Sequence, residues 1–235
     1  MQAVILAAGH GTRMRELTAS SPKSLLQVAG RPLLEYRLDA LPDSVDEVII
    51  VVGYLGAMIH ERFGDDYAGK RILYAEQEER HGTAGALWSA KDILKDHFLV
   101  LMGDDMYGRA DVAKMAQAKQ WAMGVHETHS LKEGGKVVLD SKDRITNIVE
   151  GQHDGKPGLM STNLFLLDTR IFSQPLVPKA PGSPEYGLPQ TALAAAEALK
   201  IPLEAIPATS WILINSPEDL KKAEELLKRQ RTQNA

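Results

Sequence analysis

The chain is 235 residues long, enough for one large α/β domain with a substantial core. Its 44% apolar and 25% charged residues are ordinary for a soluble globular protein, and a net charge of −4 argues against bulk nucleic-acid binding. With no cysteine it has neither disulfides nor thiolate metal sites, and no apolar run approaches the roughly 20 residues of a membrane span.

Met1 leads straight into a first strand, Ala3 to Leu6, with no charged leader or cleavage pattern, so the expectation is a cytoplasmic protein that does not engage membranes. Small residues follow at once in Ala7, Ala8 and Gly9. A buried strand running into a tight loop reads this way, and Gly9 and Gly11 leave backbone amides able to point at an anion. Arg13, Arg15 and Lys23 come next, a density of cations suited to a polyphosphate. Two familiar phosphate motifs fail. Met14 stands where the dinucleotide fingerprint needs a third glycine, and the Walker Gly-Lys-Ser/Thr is missing.

Beyond the loop, the spacing of Leu33, Leu34, Tyr36, Leu38 and Leu41 predicts a helix from Pro32 to Leu41. Glu47 to Val52 is a β-branched run of the buried parallel type, Ala57 to Phe63 a second helix, and Arg71 to Ala75 a third strand. This alternation argues for a right-handed, Rossmann-like, mainly parallel sheet flanked by helices. A helix from about Ala84 to Leu94 follows, with Thr83 as its N-cap. His97 to Met102 is the next buried strand, and Gly103-Asp104-Asp105 sits at its carboxyl end, the edge where open parallel sheets gather ligands.

The second half predicts a helix from Asp111 to Trp121, then strands near Ala122 to His126 and Lys136 to Leu139. Asp140 to Arg144 reads as a hairpin turn, Ile145 to Glu150 as a strand, Gln152 to Gly158 as a loop, and Ser161 to Leu167 as another strand. Asp168-Thr169 caps a short helix to Phe172. Pro175 to Pro189 holds five prolines and reads as a long, mobile surface excursion. Gln190 to Leu199 is an Ala-rich helix, Leu203 to Pro207 a short strand, and Ser216 opens the final helix with Pro217 at N1 and Asp219 at N3. Residues 229–235 are expected to fray. No repeat or linker divides the chain, so one domain spanning 1–235 is expected.

The stretch LAAGHGTRMRELTASSPKSLLQVAGRPLLEY resembles the signature of the sugar-1-phosphate nucleotidylyltransferases, the pyrophosphorylases that make nucleotide sugars. Three blocks, Leu-Ala-Ala-Gly-x-Gly-Thr-Arg-Met, Pro-Lys-x-Leu and Gly-x-Pro-Leu, stand in the family's order and spacing. The resemblance implies a GT-A-like fold, with residues to about 120 holding the nucleotide and the rest holding the acceptor. It also implies transfer of a nucleotidyl group from a nucleoside triphosphate to a phosphorylated sugar, with Mg²⁺ as cofactor.

In such a transfer the nucleophile is already an anionic phosphate oxygen, so no serine or cysteine is needed. Catalysis comes from position and from charge neutralisation. By resemblance Arg13 meets the β- and γ-phosphates, Lys23 the α-phosphate, and Asp104 binds the metal. Leu6, Ala7, Ala8, Gly9, Gly11 and Thr12 cradle the nucleotide, with Gln77, Gly82 and Thr83 near the base. An amide at Gln77 matches both O4 and N3–H of uracil or thymine, which favours UTP or dTTP. Glu150, Ser161, Asn163 and Asn215 fall on the acceptor side. Arg15 fits an assisting role or a solvated surface equally, Glu150 a sugar contact or an exposed strand end, and Asp105 a turn or helix cap. His81 and His126 lack partners at metal-ligand spacing.

The chain also departs from the family pattern. Leu213 replaces an Asp two residues after Trp211, Gly151 takes the place of an acceptor-phosphate lysine, and Asn163 stands for a turn glycine. One branch of the family closes its metal site with an Asn or Asp just before the stretch that Pro217-Glu218-Asp219 resembles, and this resemblance implies that Asn215 completes the site opposite Asp104, with Lys156 or Lys179 serving the acceptor phosphate. Two other functions fit the same residues: a CTP-dependent enzyme for phosphocholine or an inositol phosphate, and a weakly catalytic nucleotide-sugar binder with a regulatory task. Neither the sugar nor a homo-oligomeric state can be read from the sequence.

Overall fold

The computed structural model describes the backbone of residues 1–79 and 81–233, and the side chains of all these except Arg15 and residues 229–233. The side-chain expectation for Arg15 lies outside the described residues; of the fraying expected over 229–235, the backbone of 229–233 continues the last helix and 234–235 lie outside the described residues. The first half runs β1 (Gln2–Leu6), β2 (Gln27–Val28), β3 (Arg31–Pro32), α1 (Leu33–Ala40), β4 (Glu47–Val52), α2 (Gly56–Phe63), β5 (Asp66–Tyr67) and β6 (Lys70–Glu76). It continues with α3 (Gly82–Trp88), β7 (His97–Met102), β8 (Met106–Tyr107) and α4 (Arg109–Ala116). The second half holds β9 (Trp121–Thr128), β10 (Glu133–Leu139), β11 (Ile145–Gln152), β12 (Gly158–Asp168), α5 (Leu188–Leu199), β13 (Leu203–Pro207), β14 (Trp211–Ile212) and α6 (Pro217–Gln233).

Ten strands form one mixed sheet. β1, β4, β6 and β7 are parallel, as the apolar runs predict, and β1 lies between β7 and β4. β12 joins this nucleus antiparallel to β7, and β10 and β11 extend the sheet beyond it. β9 pairs along β12 on its other side and carries β13 in parallel. The β12 ladder shifts register between Ser161 and Phe165, and Asn163 sits there with φ +54°. Asparagine is among the few residues that take this left-handed conformation readily, so the bulge explains its presence where a glycine would also serve.

Alternation along β1 builds two cores. Val4 and Leu6 join Phe98, Val100 and the buried faces of α3 and α5, whereas Ala3 and Ile5 join Leu99, Leu101 and residues of α1, α2 and α4. A third cluster of Met14, Val28, Leu33, Met106, Ile214 and Ala223 docks α6 against the N-terminal segment. The start of α6 is capped as its sequence predicts. Ser216 Oγ accepts from Asp219 N at 3.2 Å, and Asp219 Oδ2 accepts from the Asn215 and Ser216 amides at 3.0 Å each. Among the described residues no helix is long and apolar enough to cross a membrane.

Several expectations need correction. α3 ends at Trp88 rather than Leu94 and is N-capped at His81, because the Thr83 hydroxyl instead accepts from Leu188 N at 2.9 Å. α4 stops at Ala116, since Trp121 is claimed by β9 and its indole donates to the buried Asp168 carboxylate at 2.9 Å. The proline-rich stretch is no free excursion. A bridge between Pro178 and Tyr186 closes it, and Tyr186 bonds both ways with the start of α3, donating to His81 O at 3.0 Å and accepting from Ala84 N at 3.1 Å.

Candidate active site

The loops after β1 and β7 leave the sheet side by side. Gly103 N donates to Leu6 O at 2.9 Å, and a Cβ at Gly103 would lie 2.9 Å from Ala7 Cα, so only glycine allows this approach. The Gly9 loop and Asp104 are thereby held at one edge, as strand order and strand ends require. From Gly11 the chain enters a 3₁₀ turn, Thr12–Thr18, tied by Met14 N and Thr18 Oγ1 to Gly11 O at 2.8 and 3.0 Å. His10 stacks on Tyr54 with ring centres 4.4 Å apart, and the Tyr54 hydroxyl donates to Ala19 O at 2.8 Å, which pins the outer side of the loop.

Pro22 then turns Lys23 inward. Its side chain is buried, yet its ammonium donates to Asp104 Oδ2 at 2.6 Å and reaches Asn215 Oδ1 at 3.5 Å. A buried amine is tolerated only with such partners. Two hard oxygens from distant parts of the chain thus converge on one cationic position. That donor set suits Mg²⁺, which binds protein through one or two oxygens and keeps phosphate oxygens and water for the rest. Among the described residues no group of three or more His, Asp or Glu side chains is placed to hold a metal alone. His81 pairs with Glu79 at 3.0 Å, and His126 faces Ala208 O at 3.1 Å.

Behind this position lies a buried ionic layer that the sequence reading missed. Asp105 is 2% exposed and accepts from Trp211 Nε1 at 3.1 Å, so it is no turn cap. Burial, with the neighbouring Asp104 charge, pushes its carboxyl up to about 7. Arg37 on α1 is fully buried, and burial lowers its guanidinium to about 10 although Asp105 and Asp104 support the charge. Tyr107 is buried with them and donates to Thr162 O at 2.9 Å, and burial raises its hydroxyl well above the usual value.

One cavity of about 660 Å³ gathers the expected nucleotide, metal and acceptor residues, Lys156 excepted. Leu6, Ala7, Ala8, Gly9, Gly11, Thr12 and Arg13 line it with Lys23, Asp104 and Asn215, as do Gln77 just after β6 and Gly82 and Thr83 at the start of α3. Glu150, Ser161 and Asn163 line it from the second half. Glu150 is no solvated strand end: it pairs with Gly135 across β10 and β11, and a Cβ there would meet its Oε2 at 3.0 Å. The Gly-Gly of residues 134–135 was the signal for this wall. Ser161 contributes through the bulge, its hydroxyl accepting from Asn163 N at 3.2 Å. Gly82 has φ +74° and a would-be Cβ 2.5 Å from Tyr186 O, so the proline-rich segment, not a ligand, excludes a side chain there. Gln77 Nε2 lies 3.4 Å from Gly82 O at the cavity wall. Lys179 lines the cavity, whereas Lys156 pairs with Asp154 at 2.7 Å on an exposed turn and does not.

Comparison with known proteins agrees with this geometry. The family model for nucleotidyl transferases matches residues 2–228. The UTP–glucose-1-phosphate uridylyltransferase AglF of Haloferax volcanii is 30% identical, with 99% of each chain covered. A D-glycero-alpha-D-manno-heptose 1-phosphate guanylyltransferase of Campylobacter jejuni is 29% identical over 74% of this chain and 78% of its own. Among solved structures, a Bacillus anthracis protein assigned as a glucose-1-phosphate thymidylyltransferase superposes with a TM-score of 0.80 at 22% identity, covering 96% of this chain and 95% of that one.

Proposed function

Since the chain belongs to the nucleotidyl transferase family and is an enzyme of that kind, we propose that it joins UTP or dTTP to a sugar 1-phosphate and releases pyrophosphate. Glucose 1-phosphate is the first acceptor to try, because the Haloferax volcanii relative takes its name from it. The observation that carries this reading is the convergence of Lys23, Asp104 and Asn215 on one point beside the Gly9 loop. The first half of the chain holds the nucleotide and the second half the acceptor.

An acceptor phosphate oxygen attacks the α-phosphorus in line, and the bond to the pyrophosphate oxygen breaks. Gly9 and Gly11 present backbone to the triphosphate, and Arg13 grips its β- and γ-phosphates. Lys23 sits at the α-phosphate and offsets charge gathering on the equatorial oxygens. Family members depend in general on a divalent metal. Asp104 and Asn215 would hold it, Mg²⁺ on this reading, and it would neutralise the triphosphate and polarise the α-phosphoryl group. Gln77 reads the pyrimidine edge, Glu150 meets sugar hydroxyls, and Lys179 is the cation available to the acceptor phosphate.

Lys23→Ala and Asp104→Asn test the catalytic assignment. Each should lower pyrophosphate release by about 10²- to 10³-fold while the far-ultraviolet circular dichroism stays that of the wild type. Near wild-type turnover in either variant contradicts the role given to that residue.

A further inference from the structure

We propose that Arg37 is a positioning residue for the reacting end of the cavity, acting through Asp105 and Trp211 on the strand that leads to Asn215. The inference rests on the reading of Asp104 and Asn215 as that end. Arg37 falls on the buried face of α1 with Leu33, Leu34 and Leu38, a place where an apolar side chain of equal length would pack without any cost in desolvation. It is fully buried and does not line the cavity. One guanidinium nitrogen donates to Leu33 O, and Nε and Nη2 have no hydrogen-bond partner among the described residues. Helix packing alone therefore gives no reason for a charge here.

The reason lies in what surrounds it. α1 packs against the 3₁₀ turn that carries Lys23 and against β8. β8 begins one residue after Asp105, so α1 packs beside that carboxylate, and burial lowers the Arg37 guanidinium while Asp105 and Asp104 favour its charged form. Asp105 would otherwise be a lone carboxylate at 2% exposure. With Arg37 behind it, Asp105 can hold the Trp211 indole at 3.1 Å. Trp211 opens β14, which pairs with β8 through Trp211–Tyr107 and Ile212–Met106. Four residues beyond Trp211 the chain delivers Asn215 to Lys23 and Asp104. The route from Arg37 to Asn215 is thus one helix packed on a strand, one hydrogen bond and one short strand pair. Supports of this kind commonly matter as much as the groups they orient.

The test uses Trp211→Phe, Arg37→Met, Arg37→Lys and the double variant Arg37→Met/Asp105→Asn in the full chain. Trp211→Phe keeps an aromatic ring and removes the donor. It should fold as the wild type, lower kcat about 10- to 100-fold and leave KM for the triphosphate within about twofold. The three indole N–H resonances, from Trp88, Trp121 and Trp211, are assigned by the peak lost in Trp211→Phe. Arg37→Met should move the Trp211 resonance upfield and leave the Trp88 resonance in place, with Arg37→Lys bringing it part of the way back. If Arg37→Met does not fold, the double variant, which removes both charges together, should fold and show the same displaced resonance. A wild-type kcat in Trp211→Phe, or an unmoved Trp211 resonance in a folded Arg37 variant, overturns the proposal. The resonance arm needs no turnover, so it decides the positioning role even if the wild type transfers nothing to the acceptors tried.

Discussion

At the scale of single residues, the pattern of cations around the Gly9 loop was legible because each sits inside a fixed block of sequence. Lys23 follows a proline that fixes its direction, and Asp104 ends a buried strand, so chemistry and position agreed before any geometry was known. Asn215 was reached through resemblance to one branch of the family, and its oxygen does face Lys23 at 3.5 Å. Asp105 was read only as a turn or helix cap and Arg37 not at all, although one signal was present. Arg37 occupies an i, i+3 place relative to Leu34 on an apolar helix face, where a cation is out of pattern. Base choice belongs to this scale as well. Gln77→Glu loses the amide donor that matches O4 of uracil, and an unmatched polar contact costs about 1–3 kcal/mol. KM for UTP should therefore rise about 10- to 100-fold while KM for the sugar phosphate holds, as initial rates at varied UTP will show. An unchanged KM for UTP removes Gln77 from base reading.

Elements taken whole were legible where a period ran uninterrupted and illegible where tertiary contacts set their ends. α1 and the parallel strands follow their apolar spacing, but α3 and α4 stop early for reasons that lie elsewhere in the chain. The proline-rich segment shows why. Its prolines suggest exposure, yet the Tyr186 backbone pairs with the start of α3 at His81 and Ala84 and leaves no room at Gly82. Gly82→Ala must then adopt φ near +74° against a carbonyl 2.5 Å away, and should cost about 1–3 kcal/mol in urea denaturation. A stability equal to wild type would mean that the segment is not held there. Asp168 anchors another junction, where β12 ends and β9 begins. Burial opposes its ionisation, but hydrogen bonds from Arg170 and Trp121 and from the Arg170 amide outweigh this and hold its pKa below the usual carboxylate value. Its folded pKa lies below its unfolded one, so its contribution is full above the unfolded value, near 3.9, and is lost as pH falls through the folded value. The stability gap between wild type and Asp168→Asn should accordingly be larger at pH 7 than at pH 3. A gap independent of pH contradicts the ionised assignment.

For the molecule as a whole, the class of fold followed from alternating strands and helices in the first half, and the nucleus of β7, β1, β4 and β6 is parallel as expected, its order coming from the structure. In the second half only the hairpin at Asp140 to Arg144 was read as a pair, which the β10–β11 ladder bears out, and the other strands were read without partners. Their pairing, with β12 set between β7 and β10 and β9 alongside, joins residues far apart in sequence that no local period connects. That arrangement is what brings Glu150 and Asn163 to the same cavity as the Gly9 loop, so the acceptor side could be named from resemblance but not assembled from pattern. Whole-molecule function reduces to a choice of substrate pair, and this is measured by pyrophosphate release from UTP, dTTP, CTP and GTP with Mg²⁺, each against glucose 1-phosphate, other sugar 1-phosphates, phosphocholine and inositol phosphate. The account predicts release only with a sugar 1-phosphate, fastest with UTP or dTTP. Release with CTP and a non-sugar phosphate alone, or with no pair at all from a folded protein, would contradict it.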